Sequence, residues 1–245
     1  MAVSVNNVYK KVLALANKEQ RGYITPQDFN LFANQAQLEI FEQYFYDLNI
    51  ARKSQGNDTV VADVDTMIEN KLNIFERFAG AAEIATFPST VGGGKVLPEN
   101  MYRVLSVGLS GGANNNDCEI LNSRDYKNCK TSPLTKPTLA RPIANLQGKI
   151  VKCNNRGSDT SPSEVTFLRT PNHGDNKVNW TYVVVNKRAM YNATGSTTNF
   201  ELHESEEIQL VNKILKLSGL ATEQEDVMKA GHAMENIVSQ QQQKV

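Results

Sequence analysis

Apolar residues recur at helical spacing over residues 4–84, give way to short runs bounded by turn residues, and return to helical spacing from about residue 203. Val5, Val8, Val12 and Leu15 share one face of a first helix. The second helix, expected over residues 26–48, carries two apolar stripes. At about 100° per residue, Phe29, Phe32, Ala33, Ala36, Ile40 and Tyr44 gather on one side and Leu31, Leu38, Phe41, Phe45 and Leu48 on another. Such a helix needs cover on two sides, either in the middle of a helical bundle, the commoner arrangement, or between its own core and a neighbouring subunit. A third helical pattern runs through Val64, Ile68, Leu72, Phe75 and Phe78.

From "EIATF" at residue 83 the period changes. The runs "YRVLSVGL", "CEIL", "GKIVKC", "EVTFLR" and "WTYVVV", broken by Gly, Asn, Ser and Pro, predict antiparallel strands joined by loops. "HESEEIQLVNKILKLSGL" then reads as a punctuated helix, with acids in its first turn, Ile208, Val211 and Leu215 on one face, late lysines and Gly219 just after. A closing helix starts with Thr222 as N-cap and Glu225 at the third position, and its stripe is Val227, Ala230, Gly231, Met234, Ile237 and Val238. The polar "QQQQKV" ends the chain and is expected to fray. The expected fold is α+β, in which N- and C-terminal helices form one helical bundle around an antiparallel β-rich insert. Its expected parts are residues 1–84, residues 85–200, and residues 201–245 packing with or near the first part.

The connection "NKEQRGYITPQDFNLF" has the outline of an EF-hand calcium loop. Counted from Asn17, Gly22 falls at position 6, Ile24 at position 8 and Asp28 at position 12. The ligands disagree with that frame, because position 5 is Arg21, a permanent cation without an acceptor atom, and position 1 is a neutral amide. A helix connection explains more residues: Gly22 ends one helix, Thr25 caps the next, Pro26 takes its first position and Asp28 its third.

Composition narrows the function classes. Lys plus Arg equals Asp plus Glu at 26 each, so no overall charge points to nucleic acid or an acidic membrane. No apolar run approaches the ~18 residues of a membrane span, and "MAVSVNNVYKK" lacks the order of a signal peptide, so a cytoplasmic protein is expected. Cys118, Cys129 and Cys153 have no metal-site spacing and read as free thiols, and His173, His203 and His232 lie far apart. "VGGGKV" lacks the spacing of a phosphate loop and reads as a flexible hairpin tip with Lys95 exposed. No nucleophile elbow or zinc-protease pair occurs, acids at helix starts need no catalytic explanation, and "RDYKNCKTSPLTKPTLAR" reads as a solvated basic loop. The residues therefore predict no enzyme, no cofactor and no metal, and no catalytic residue is nominated.

Several segments carry a resemblance when taken in order. "LPENMYRVLSV" (97–107), "KPTLARPIANLQGKIVKC", "EVTFLRTP", "NFELHESEEIQLVNKILKLSGL" and the long helix "ITPQDFNLFANQAQLEIFEQYF" together resemble the head-to-tail connector proteins of tailed bacteriophages, the adaptor or tail tubular protein A family. Asn100 stands where that family usually has an acid, and the loops within "SGGANNNDCEIL" and "NNRGSDTSPS" are longer than a minimal adaptor needs. The resemblance implies a virion protein at the portal–tail junction of a phage, short-tailed by type, assembled in the host cytoplasm. It implies a homo-oligomeric ring of about twelve copies, bound to the portal protein and to the tail or further ring proteins, with DNA passing non-specifically through the lumen and no membrane partner. Under it, Val227, Met234, Ile237 and Val238 form a portal-facing surface, the alternative being that this helix packs on its own bundle. A carbohydrate- or receptor-binding virion module using the β insert is the second reading, and an EF-hand-like calcium protein the third. Because Arg21 occupies a ligand position, millimolar calcium should leave the melting temperature where magnesium leaves it; a rise specific to calcium would restore the third reading.

Overall fold

The computed structural model describes residues 3–16, 24–53, 59–110, 115–156, 158–186, 188–192, 194–221, 233 and 236. The helices are α1 (Val5–Ala16), α2 (Pro26–Lys53), α3 (Thr59–Asn73), α4 (Ala81–Thr86), α5 (Ser123–Thr131) and α6 (Glu207–Ala221). The strands are β1 (Glu76–Ala79), β2 (Lys95–Val96), β3 (Met101–Ser110), β4 (Asn115–Asp117), β5 (Glu119–Leu121) and β6 (Ile143–Gln147), followed by β7 (Ile150–Asn154), β8 (Asp159–Thr160), β9 (Glu164–Arg169), β10 (Tyr182–Val185) and β11 (Arg188–Tyr191). The chain is thus α+β with largely antiparallel pairing. It divides into two compact units, Met1–Ile74 with Pro171–Val245, and Phe75–Thr170.

These bounds differ from the expected insert of residues 85–200 at both ends. Helix α3 ends at Asn73 and β1 begins at Glu76, so Phe75 and Phe78 lie beyond α3 rather than on it, Phe75 fully buried and Phe78 exposed. "EIATF", taken as the start of the strands, instead completes the short helix α4. At the far end, β10 and β11 pair only with each other and join neither of the larger sheets.

The Phe75–Thr170 unit holds two sheets around one core. The first has the order β1-β9-β3-β4, and the second the order β2-β7-β6-β5, with β8 also on β7. Val104, Val107 and Leu109 of β3 and Val165 and Phe167 of β9 meet Ala144 of β6 and Val151 and Cys153 of β7 in that core. The chain crosses between sheets at Cys118, whose N–H donates to the Val107 carbonyl at 2.7 Å just before β5 begins. One pair departs from the antiparallel expectation. β5 and β6 run parallel, because residues 122–142, including α5, carry the chain back across the sheet before β6.

In the other unit α6 packs against α1 and α2, and α3 against α2. Val5, Val8, Tyr9 and Val12 fill the inner face of α1, while Leu15 is exposed. Thr25 and Asp28 start α2 as expected: the Asp28 N–H donates to Thr25 Oγ1 at 3.2 Å and the Thr25 hydroxyl to Asp28 Oδ2 at 2.5 Å. Residues 17–23 of the proposed calcium frame lie outside the described residues. The first stripe of α2 is covered, with Phe29, Ala33, Ala36, Ile40 and Tyr44 buried. The second is divided, because Phe41 is buried while Leu31 and Leu38 remain 66% and 45% exposed. On α6 the buried face is Leu210, Val211, Ile214 and Leu215, so Val211 and Leu215 of the expected stripe are covered while Ile208 points to solvent, and the helix continues through Gly219 past the expected stop.

After residue 171 the chain is held on α2 by two asparagine side chains. Asn34 donates from Nδ2 to the Val178 carbonyl at 2.9 Å and accepts from the Val178 N–H at 2.9 Å. Asn30, one turn earlier, does the same for Trp180, accepting at 2.8 Å and donating at 3.4 Å. A four-residue helical step rises about 6 Å and a two-residue extended step about 6.6 Å, so the two repeats match closely enough for paired hydrogen bonds. Asn34→Leu should leave the Val178 amide and carbonyl without these partners and lower the unfolding free energy by about 1–3 kcal/mol. Chemical denaturation checks this, and an unchanged midpoint would refute it.

Candidate functional site

The most distinctive surface grows from the asparagine clamp. Trp180 is buried, its Nε1–H donates to Asn6 Oδ1 at 3.2 Å, and its ring lies 3.9 Å from that of Tyr9 by centroid. Tyr9 in turn meets Phe29 edge-on at 4.8 Å. Beyond Trp180 the chain rises into the β10–β11 hairpin, whose register, Val185 opposite Arg188, leaves a two-residue turn. Asn186 in that turn has φ 50°, the left-handed conformation that asparagine tolerates and a tight hairpin requires. The Thr181 hydroxyl donates to the Asn192 carbonyl at 3.0 Å and the Asn192 N–H to the Thr181 carbonyl at 2.9 Å, closing the base.

The hairpin is therefore secured below and bare above. Val183, Val184, Val185 and Met190 are 48%, 63%, 45% and 57% exposed, although successive strand residues point to opposite faces. Both faces are apolar. The hairpin forms a two-stranded sheet by itself, so each strand also presents an outer edge without a strand partner among the described residues. An isolated two-stranded hairpin of this kind is marginal in water, and exposed apolar patches on such elements mark contact surfaces.

A charged cluster stands on the same unit. Lys71 Nζ of α3 donates to Glu206 Oε1 at 2.6 Å, with the Glu206 side chain 2% exposed at the turn that starts α6. Burial pushes the Tyr44 hydroxyl far up, and the neighbouring Glu206 charge adds to it. Burial also raises Asp47, against the pull of Lys71. Lys213 of α6 reaches Glu39 of α2 at 3.7 Å. These pairs link α2, α3 and the turn that starts α6, while Glu206 Oε2 and the Tyr44 hydroxyl are buried there without a hydrogen-bond partner among the described residues.

In the Phe75–Thr170 unit, Asp159 ties α5 to the second sheet. Its Oδ1 accepts from the Tyr126 hydroxyl at 2.8 Å, Lys130 Nζ at 3.0 Å and Asn154 Nδ2 at 3.0 Å. Burial works to raise this carboxyl, but the hydrogen bonds from Asn154, Lys130 and Tyr126 outweigh it and hold the group below the ordinary range. Tyr126 and Lys130, drawn from the segment expected as a solvated basic loop, thus sit on a helix that Asn122 caps through its side chain. Lys95 also departs from expectation. It is buried, and Nζ donates to the Phe87 carbonyl at 3.0 Å and the Ala85 carbonyl at 3.4 Å, satisfying the end of α4. Gly93 before it, at φ 78°, packs where a Cβ would come within 3.0 Å of the Asp159 carbonyl.

Cys118 and Cys153 are free and buried in the core, and Cys129 is half-buried on α5. The hydrogen bond from Cys153 to Cys118, together with burial, pushes the Cys153 thiol well up. His203 accepts from the Ser205 N–H at 3.2 Å and starts the turn before α6. Among the described residues no group of His, Cys, Asp or Glu is placed to hold a metal ion, and no helix is long and apolar enough to cross a membrane. Val227, Met234, Ile237 and Val238, the nominated portal-facing residues, lie outside the described residues. Asn30, Asn34, Trp180 and the hairpin tip were not nominated from sequence. The signal for the tip was present in "TYVVVN", where three successive valines make a strand apolar on both faces.

A comparison with protein-family models finds no match to this chain, and neither does a comparison with curated proteins.

The Asp159 contacts generate a pH dependence. Because its folded pKa lies below the unfolded 3.8, its stabilisation is present in full above that value and is lost as pH falls through the lowered folded pKa. The melting temperature should fall between about pH 5 and pH 2 less steeply in Asp159→Asn than in the wild type. Parallel acid profiles would show that Asp159 contributes nothing to the linkage.

Proposed function

We propose that this chain is a structural protein of a tailed-phage virion, an adaptor subunit whose ring joins the portal to the tail and lines the DNA exit channel. The observation that carries this reading is the β10–β11 hairpin, fastened at Trp180 and bare at its tip, on a chain whose outward α2 row is also bare. Surfaces of this kind serve contact between macromolecules, whereas the charged clusters at Glu206 and Asp159 hold the chain's own helices and sheets together.

The resemblance of residues 97–107 and of the later segments to head-to-tail connectors supplies the class of assembly. In this reading α1, α2, α3 and α6 belong to one helical bundle, and copies stand side by side in a ring of about twelve. The portal takes one rim, tail or further ring proteins take the other, and DNA passes through the lumen without sequence-specific contact. A neutral net charge suits that role, since a strongly basic channel would retain the DNA it must release. Assembly takes place in the host cytoplasm and the product resides at the portal–tail junction.

Electron microscopy of the purified protein, alone and mixed with portal, tests the reading. Rings with a central hole are expected, and a chain that stays monomeric in both samples would overturn it. Removal of residues 222–245 addresses the portal contact. The truncated chain should keep its melting temperature and lose portal binding; early melting, or unimpaired binding, would move the contact elsewhere.

A further inference from the structure

The hairpin and the outward row of α2 are opposite in charge as well as alike in being apolar. Between residues 176 and 200 the charged side chains are Lys177, Lys187 and Arg188, with no acid, and Arg188 is exposed at the hairpin tip. Between residues 26 and 50 they are Asp28, Glu39, Glu42 and Asp47, with no base; Glu39 pairs with Lys213 and Asp47 faces Lys71, while Asp28 and Glu42 are exposed. Leu31, Leu38, Glu42 and Tyr46 fall within about 80° of one another around α2. All four are exposed, Leu31 and Tyr46 at 66% each.

Within one copy these surfaces do not cover each other. The base of the hairpin is held against Asn30 and Asn34, while the tip valines and the Leu31–Leu38 row both face solvent. Two different, complementary patches on one chain favour a head-to-tail contact, and such contacts close into rings when the rotation between copies allows. An unrelated acidic partner would satisfy the hairpin alone and leave the α2 row bare; a second copy satisfies both.

We propose that the β10–β11 hairpin of one copy lies on the outward row of α2 of the next, with Val183, Val184, Val185 and Met190 against Leu31, Leu38 and Tyr46, and Arg188 opposite Glu42. The inference rests on the ring reading above and names the contact that builds the ring. Apolar burial drives the contact, and the charge pair sets its register and excludes the reverse orientation.

The test uses the full chain with Cys129→Ser, so that buried Cys118 and Cys153 are the remaining native thiols. Val184→Cys and Leu38→Cys are placed on separate copies carrying different tags, mixed and oxidised with glutathione disulfide, whose reduction to glutathione accompanies each new disulfide. Disulfide-linked pairs of unlike tags are expected in the mixture. In parallel, Arg188→Glu and Glu42→Arg should each weaken self-association by about tenfold, read by sedimentation, and the double variant should restore it. Restoration also separates a broken contact from a misfolded chain. Rings that survive both inversions and yield no unlike pairs would overturn the hairpin contact and leave the ring reading standing. A wild-type chain that is monomeric alone and with portal would overturn both.

Discussion

The two asparagines on α2 carry the constraint on which the helical unit depends. Residues 178–180 are extended and lie beside a helix, an element that has no free backbone groups along its length to offer them. Asn30 and Asn34 supply amide groups in place of a strand edge, and their spacing of one helical turn nearly equals the spacing of Val178 and Trp180 along the chain. Trp180 is thereby brought against Tyr9 and Asn6 of α1, so one short segment joins two helices. The position of the hairpin follows from that anchorage, and so does the exposure of its tip.

The other unit solves a different problem. Its two sheets need a shared apolar interior, and the alternation of β3, β7 and β9 supplies it from Val104 to Phe167. The segments "YRVLSV" and "EVTFLR", distant in sequence, become antiparallel neighbours with Val104 opposite Phe167. Polar side chains then secure the periphery: Asp159 gathers three donors, and Lys95 closes the end of α4. Asp159 and Lys95 thus serve internal fastening, while exposed apolar groups of the helical unit lie on the β10–β11 hairpin and on α2.

Local features were legible where the physics is local. Thr25, Pro26 and Asp28 announce the start of α2 because a cap needs only neighbours in sequence, and Asn122 caps α5 by the same chemistry. The buried face of α1 follows from its period. Misreadings arose where a pattern is shared by two structures. Phe75 and Phe78 continue the spacing of α3, yet the helix ends at Asn73 and Phe78 pairs with Thr166 of β9, a partner that spacing within one segment does not reveal. Lys95 looked exposed because a lysine beside glycines usually is; its burial depends on carbonyls of a helix that the sequence did not reveal.

The sequence by itself determined the order of helices, strands and helices, the caps, and the presence of a second apolar stripe on α2, since each rests on spacing within one segment. Tertiary structure alone decided which part of that stripe is covered, that residues 171–200 belong with the helices, and that the valines of β10 stand bare. The physical reason is that burial is a property of pairs of segments. Leu31 and Phe41 are equally apolar and lie on the same helix, and what separates them is whether another part of the chain arrives to cover the side chain.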